Sequence, residues 1–174
     1  MPSFRSGSTI PTGTTASNTL KDKVVIVTGG SSGIGRATAL AFARQGARVV
    51  ITARRAAPLE ETVAQHVNLV GLVADAALPD DAARSIAKAV GSWGRLDLLV
   101  NNAGAGALLP LAEATPERIR QIFEVNVLGP SLLAAAALPH LRRARGLIVA
   151  VASGAGLTGV PERTDYAASK HAVV

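Results

Sequence analysis

The sequence predicts a three-layer α/β fold, a doubly wound parallel sheet with helices on both faces. From Lys23 onward, short apolar segments rich in β-branched residues alternate with longer segments of helical pattern. The apolar segments are continuous rather than alternating, as in sheets that helices cover on both sides. Strands that alternate with helices run parallel and are joined by right-handed crossovers.

The elements follow one another at regular spacing along the chain. Strands are predicted at 24–27, 47–52, 67–73, 96–100 and 147–151. Helices are predicted at 33–45, 58–66 and 79–90, then a long helix from 116 and a fifth helix from about 164. Thr115 is the expected N-cap of the long helix, because a hydroxyl can accept a hydrogen bond from a free backbone N–H, and Pro116 suits the first helical position.

Composition indicates one globular domain with a short extension. The 174 residues can bury a core, and the absence of Cys excludes disulfides and thiolate metal sites, which suits a cytoplasmic protein. Residues 1–20 are rich in Ser, Thr and Gly and are expected to form a flexible N-terminal tail before a domain at 21–174. No segment is expected to be long and apolar enough for a signal peptide or a bilayer span.

The net charge of +6 favours attraction to a polyanion, either a phosphorylated cofactor or nucleic acid. The basic residues are mostly dispersed, and no recognised nucleic-acid motif accompanies them, so no nucleic-acid partner is expected. The spacing of the three His residues fits no metal motif, so no metal site is expected either.

A glycine-rich turn stands between the first strand and the first helix. Gly29, Gly33 and Gly35 let the backbone approach a ligand, and the helix N-terminus offers free N–H groups to a pyrophosphate. The strand before and the helix after are the context that a dinucleotide site requires. A nucleoside-triphosphate loop is the rival interpretation, but Arg36-Ala37 replaces its Lys-Ser/Thr pair. A purely structural turn is the other alternative.

Five motifs in order resemble those of the short-chain dehydrogenase/reductase family. The resemblance runs from Lys21 to the end and rests on Thr28-Gly29-x-x-x-Gly33-Ile34-Gly35, Asn101-Asn102-Ala103-Gly104, Asn126, Ser153 and Tyr166-x-x-x-Lys170. It implies a Rossmann-like fold, a nicotinamide cofactor, a small carbonyl or alcohol substrate, and a homo-oligomer as in other members of the family.

The resemblance also assigns cofactor-binding residues. Those that would border the phosphates are Gly29, Ser31, Ser32, Gly33, Ile34 and Gly35. Asp75, after the third strand, matches the position that contacts adenine, although a turn cap is an alternative role. Asn101, Ala103 and Gly104 would close the cofactor groove after the fourth strand. Alternatively, Asn101 and Asn102 only satisfy backbone groups between strands.

The end of the second strand favours NADP over NAD. An acidic residue at this position binds the ribose 2′-hydroxyl of NAD. Ala53 stands there instead, and Arg54 follows it. A guanidinium suits a 2′-phosphate. The alternative is that Arg54 and Arg55 are solvated loop cations.

Tyr166 and Lys170 are the candidate proton-transfer pair. They are four residues apart and therefore share one helix face, where the ammonium would stabilise a phenolate. Such a Tyr can donate a proton to a carbonyl oxygen or remove one from an alcohol. The resemblance implies that Lys170 also binds the nicotinamide ribose, that Ser153 fixes the substrate oxygen, and that Asn126 holds a water near Lys170. The alternative is a Tyr and a Lys that lie on the surface.

The chain stops at Val174, one helical turn past Lys170. Members of the family continue with further strands, so the resemblance implies a C-terminally truncated sheet in which strands 1–5 are present and the last strands are missing. The fifth strand is then expected to be an exposed edge. Two functions follow: an NADP-dependent oxidoreductase, or a catalytically inert nucleotide-binding fragment that lacks the substrate-binding segment.

Overall fold

Five parallel strands form one sheet in the order β3-β2-β1-β4-β5. The computed structural model describes residues 20–106 and 108–174, so the predicted tail lies outside it except for Leu20. The strands are β1 (Val24–Thr28), β2 (Arg48–Ala53), β3 (Leu69–Val73), β4 (Leu98–Asn101) and β5 (Leu147–Ala150). This is the predicted doubly wound, Rossmann-like arrangement, and it is confirmed.

The helices alternate with the strands as the sequence predicts. They are α1 (Gly33–Arg44), α2 (Ala56–Val63), α3 (Pro79–Trp93), α4 (Pro116–Phe123), α5 (Gly129–Ala144) and α6 (Thr164–His171). The predicted long helix contains a π-helical segment, Glu124–Leu128, which joins α4 to α5. The cap prediction is confirmed, since the Thr115 hydroxyl accepts a hydrogen bond from Arg118 N at 3.3 Å and Pro116 is the first helical residue.

Continuous apolar strands are needed because both faces of the sheet are buried. Successive side chains of a strand point to opposite faces. Val25 and Val27 pack in the cluster that includes residues of α1 and α2, whereas Val24 and Ile26 pack in the cluster that includes residues of α3 and α5. All five residues of β1 are buried. Burying one such side chain contributes about 1.5–3 kcal/mol.

One helical stretch is longer and more apolar than the sequence predicts. Residues Pro116–Ala144 run as 29 consecutive helical residues with a mean hydropathy of 1.5 in the most apolar window. By length and composition this stretch suffices to cross a bilayer, so the expectation that no segment does is wrong. Core helices of globular domains meet the same criterion. Here Leu133, Ala137 and Leu141 are buried in the core cluster that covers one face of the sheet.

Strand β5 is the exposed edge that the sequence predicts. It pairs with β4 in parallel register, Leu98 opposite Leu147 and Asn101 opposite Ala150. Its apolar side chains are open to solvent, with exposures of 57% for Leu147, 38% for Ile148 and 40% for Val149. Strands β1, β2 and β4 are almost entirely buried, so the core of the described chain lies around them.

Candidate active site

The glycine turn has the geometry of an anion-binding loop. Gly29 and Gly33 adopt φ of 66° and 52°, values that favour glycine. Ser32 precedes α1 without a side-chain capping bond, so the N–H groups of the first helical turn are left for another acceptor. Among residues 20–106 and 108–174, no atom lies within 4 Å of the place that a Cβ of Gly33 would take. The turn therefore leaves open space beside free donors.

A cavity of about 760 Å³ lies along the carboxyl ends of β1 to β4. This edge, where the chain order reverses between β1 and β4, is where doubly wound folds bind ligands. The predicted residues among its lining are Gly29, Ser31, Ser32, Gly33, Ile34, Gly35, Arg54, Asp75, Ala103 and Gly104. The lining also includes residues that the sequence analysis did not assign to it, namely Thr52, Ala53, Arg55, Ala74, Ala76, Asn102 and Val125.

Arg54 and Arg55 follow the buried end of β2. Ala53 is buried, whereas both arginines are exposed and line the cavity. Within the described ranges, neither guanidinium has a carboxylate within salt-bridge distance. Two cations therefore stand at the rim of the cavity, with no acidic partner among the described residues.

Asp75 lines the cavity and also caps a turn. Its Oδ1 accepts a hydrogen bond from Ala77 N at 2.9 Å, and its own N–H donates to Asp81 Oδ2 at 2.7 Å. The turn-cap role that the sequence left open is therefore present. The two roles are compatible, because the capped turn fixes the residue at the edge of the cavity.

The two adjacent asparagines after β4 point to different neighbours. Asn102 Nδ2 donates to the carbonyl oxygen of Thr28 at 2.8 Å, and Asn102 lines the cavity. Asn101 is buried, and its Nδ2 donates to Pro130 O in α5 at 3.2 Å. Asn101 is not among the cavity residues of the described chain, so it supports α5 from the sheet. Both side chains therefore satisfy backbone carbonyl groups, and Asn102 also borders the cavity.

Thr28 begins the glycine motif but is not among the residues predicted to bind the cofactor. Its Oγ1 accepts hydrogen bonds from Asn102 N at 3.0 Å and from Ala103 N at 2.9 Å. These bonds join the end of β1 to the loop after β4 and fix the two walls of the cavity relative to each other. The signal was available, because Thr28 is the polar residue that ends a wholly apolar strand.

Lys170 is buried beneath the loop that leaves β5. Lys170 is only 5% exposed, and its Nζ donates a hydrogen bond to the carbonyl oxygen of Val151 at 2.9 Å. Nζ lies 5.9 Å from the centroid of the Tyr166 ring, which is partly buried. The alternative of a surface Tyr beside a surface Lys is therefore wrong. The helix face that carries both residues packs inward.

Ser153 lies where the chain leaves β5 towards α6. Its Oγ accepts a hydrogen bond from Ala155 N at 3.2 Å and begins a short 3₁₀ turn, Gly154–Gly156. A hydroxyl that accepts this bond retains its own proton as a donor. Ser153 is partly buried.

Asn126 occupies the π-helical segment, and its side chain is fully engaged. The residue is 2% exposed; Oδ1 accepts from Ala105 N at 2.7 Å, and Nδ2 donates to Ala105 O at 2.8 Å. Nδ2 also donates to Ser169 Oγ at 2.9 Å, and Ser169 Oγ donates to Tyr166 O at 2.7 Å. The side chain thus joins the loop after β4 to α6. Its predicted role of holding a water stays a prediction.

The cavity and the Tyr166 helix meet at Gly104. Gly104 lines the cavity, and a Cβ placed on it would lie 3.4 Å from Asn126 Oδ1 and 3.7 Å from Lys170 Nζ. Tyr166 and Lys170 are not among the cavity residues of the described chain, but Lys170 lies next to the loop after β4 that borders the cavity. No cluster of three or more His, Asp or Glu that could hold a metal ion occurs in the part of the chain that the structure describes.

The family model, the relatives and the solved structures that match this chain all belong to one family. A family model described as short chain dehydrogenase matches residues 23–174. The chain is 38% identical over 165 residues to 11-beta-hydroxysteroid dehydrogenase-like 4A of Arabidopsis thaliana, covering 91% of this chain and 55% of that protein. It is 39% identical over 155 residues to L-fucose dehydrogenase of Oryctolagus cuniculus, covering 87% and 54% of the two chains.

A solved structure shares the fold. The crystal structure of a short chain dehydrogenase/reductase from Burkholderia phymatum in complex with NAD superposes with a TM-score of 0.85 at 32% identity. The match covers 88% of this chain and 57% of that one. The chain thus spans little more than half the length of these relatives. The matching motifs, sheet order and family model together establish that the chain belongs to the short-chain dehydrogenase/reductase family.

Proposed function

We propose that this chain carries the cofactor-binding and proton-transfer groups of an NADP-dependent oxidoreductase that interconverts a carbonyl compound and an alcohol. The observation that carries the proposal is the junction at Gly104. There the lining of the dinucleotide-sized cavity lies beside the buried Lys170, on the helix that also bears Tyr166. A reactive cofactor ring at that end of the cavity would stand next to the phenol.

The residues present fit a nicotinamide dinucleotide. The open space at Gly33 and the free N–H groups at the start of α1 suit a pyrophosphate. The cavity, about 760 Å³, is within the range of small-molecule and cofactor sites. The Burkholderia relative of the same fold was solved with NAD. When bound, the cofactor would supply the hydride acceptor or donor, and the protein's own residues hold the substrate and move its proton.

Arg54 and Arg55 support NADP as the preferred form. Both guanidinium groups lie at the cavity rim, and Ala53 offers no carboxylate to a ribose 2′-hydroxyl. A guanidinium presents several coplanar donors that match a phosphate. An Asp at the position of Ala53 would repel a 2′-phosphate, whereas the two arginines attract it. Arg54 is the closer match to the position that reads the 2′-substituent.

Tyr166 is the proposed general acid and base. Its hydroxyl would donate a proton to the substrate carbonyl oxygen during reduction and take it back during alcohol oxidation. The Lys170 ammonium, 5.9 Å from the ring centroid, favours the phenolate that remains after donation. Ser153 would hold the same substrate oxygen through its free proton. Asn126 positions the loop and helix around them rather than reacting itself.

Composition and family membership also bear on the partners and location of the protein. The substrate is a small molecule, and nucleic acid is not a partner. The cytoplasmic location and a homo-oligomer resembling those of the family stay predictions. The second candidate function, a catalytically inert nucleotide-binding fragment, is the less favoured one, because the matched relatives are named as dehydrogenases.

The test compares the parent protein with Tyr166→Phe. Binding of NADPH is followed by nicotinamide fluorescence, and turnover by loss of NADPH absorbance with a panel of ketones and aldehydes. We expect Tyr166→Phe to lower turnover by about 10²–10⁴-fold while NADPH affinity stays within about twofold. Turnover that Tyr166→Phe retains would refute the assigned role. NADPH binding without turnover of any compound would favour the inert alternative.

A further inference from the structure

Tyr166 has a second cation beside its ring. The guanidinium carbon of Arg163 lies 5.7 Å from the ring centroid, slightly nearer than Lys170 Nζ at 5.9 Å. Both distances fall within the range of a cation–π contact. Lys170 is committed to Val151 O, whereas no carboxylate lies within salt-bridge distance of Arg163 in the described ranges of the chain.

Local structure does not account for an arginine at this position. Arg163 is the N-cap of α6, where Ser, Thr, Asp or Asn is preferred and where the helix dipole disfavours a cation. The preceding Glu162 adopts a φ of 57°, a conformation that is strained for a residue other than glycine. Strain at Glu162 and an unfavourable charge at the adjacent Arg163 indicate a function outside the helix.

The carboxylates close to Arg163 in sequence are not its partners. Asp165 accepts a hydrogen bond from Tyr166 N at 2.7 Å, and its Oδ2 lies 3.5 Å from Nε of the half-buried Arg118. Glu162 is exposed, and its carbonyl oxygen accepts a hydrogen bond from Leu109 N at 2.7 Å. That backbone bond joins the loop after β4 to the loop before α6, and each loop contributes a residue that contacts the Tyr166 ring, Gly106 and Arg163.

The Tyr166 ring is held in place by close backbone contact. Gly106 passes against it, and a Cβ at Gly106 would lie 3.0 Å from Cε2 and 3.1 Å from Cγ of the ring. These contacts therefore fix the position of the Tyr166 ring relative to Arg163 and to the two loops. A guanidinium that packs over an aromatic ring keeps its N–H donors in its own plane, where they can bind a carboxylate in bidentate geometry.

We propose that Arg163 binds an anionic group of the substrate, so that the preferred substrates are carbonyl compounds that carry a carboxylate a few atoms from the carbonyl carbon. Two anchors then orient the substrate: the carbonyl oxygen at the Tyr166 hydroxyl and the carboxylate at the Arg163 guanidinium. The inference rests on the proposed role of Tyr166 and assigns the substrate class of that same site.

The test uses matched acids and esters with the purified protein and NADPH. The pairs are acetoacetate with methyl acetoacetate and levulinate with methyl levulinate, which differ in charge but present the same carbonyl. We expect kcat/KM for the better acid to exceed that for its ester by about tenfold or more. Arg163→Gln should lower the acid value by about 10–100-fold and the ester value far less. Arg44→Gln, at the end of α1 away from the site, should change neither value.

Ligand-observed NMR with the NADP-bound protein gives a readout that does not need turnover. Levulinate should bind more tightly than methyl levulinate, and Arg163→Gln should remove that preference. Equal binding of acid and ester by the parent protein, absence of levulinate binding, or equal losses for acid and ester in Arg163→Gln would each overturn the inference. Turnover of neutral ketones that depends on Tyr166 would leave the proposed function intact in those cases, whereas turnover independent of Tyr166 would overturn the function itself.

Discussion

The Lys170 ammonium donates a hydrogen bond to the carbonyl oxygen of Val151 at 2.9 Å, and Val151 N donates in turn to Asn101 O at 2.9 Å. This pair of contacts ties the helix that carries Tyr166 to the end of the β4–β5 ladder. A buried ammonium requires such acceptors, because an unpaired charge in the interior is costly. The position of Tyr166 relative to the sheet therefore depends on Lys170 as well as on helix packing.

Lys170→Met should separate charge from packing at this position. Methionine keeps the length of the apolar stem but leaves Val151 O without its donor, which costs about 1–3 kcal/mol of the free energy of unfolding. We expect turnover to fall by about 10²-fold or more, because the phenolate loses its stabilising ammonium. Denaturant titration and NADPH-dependent turnover measure the two effects. Unchanged turnover in a folded Lys170→Met variant would exclude this role.

Arg54→Ala should change the preference between the two nicotinamide cofactors. Loss of a charge-assisted contact to the 2′-phosphate is expected to weaken NADPH binding by about 10–100-fold and to leave NADH binding within about twofold. Fluorescence titration with each cofactor measures the ratio. Arg44→Ala serves as a control for the change in net charge. Equal losses for NADPH and NADH would contradict recognition of the 2′-phosphate by Arg54.

The sequence suffices to predict the glycine turn and the placement of Tyr166 and Lys170 on one helix, because their spacing is local. A glycine turn needs only the strand before it and the helix after it, and Tyr166 and Lys170 share a face at any helical spacing of four. The local sequence could not show that Asn101 and Asn102 have different partners. Asn101 contacts α5 and Asn102 contacts Thr28, and which neighbour each side chain meets depends on how distant segments pack.

The π-helical segment at Asn126 was equally beyond prediction from the sequence. Single π turns within α-helices are frequent at functional sites, but no local pattern specifies one. Asn126 contacts Ala105, which is 21 residues away in the chain, and Ser169, which is 43 residues away. The sequence indicated only that Asn is an unusual residue inside a helix. The hydrogen bonds to Ala105 and Ser169 explain why an Asn occupies this position.

Ser169→Ala should loosen the join between Asn126 and α6. Ser169 is fully buried, so its removal leaves one Asn126 N–H without an acceptor and costs about 1–3 kcal/mol. We expect a lower midpoint of thermal unfolding and a fall in turnover, with NADPH affinity nearly unchanged because the glycine turn is untouched. Ser131→Ala, on the exposed side of α5, is the matched control. A loss of NADPH affinity as large as the loss of turnover would point to general unfolding instead.

Asp97 immediately precedes β4, at the amino end of the strand. Its carboxylate accepts hydrogen bonds from Arg95 Nε at 2.8 Å, from Val24 N at 3.0 Å and from Lys23 Nζ at 3.2 Å. Burial raises the pKa of Asp97, but the hydrogen bonds from Arg95, Val24 and Lys23, with the charge of Arg95, outweigh burial and hold the pKa below its ordinary value. The carboxylate thus joins the starts of β1 and β4.

Asp97→Asn should reduce stability in a pH-dependent way. Because the pKa of Asp97 is lower in the folded state than in the unfolded chain, its contribution is complete above the unfolded value, near pH 4, and is lost as the pH falls through the folded value. The free energy of unfolding of Asp97→Asn should therefore be lower than that of the parent protein at pH 7, and the difference should shrink as the pH falls below about 4. Urea titrations of both proteins across this range measure it. A difference that stays constant with pH would show that the ionised carboxylate contributes nothing beyond its neutral hydrogen bonds.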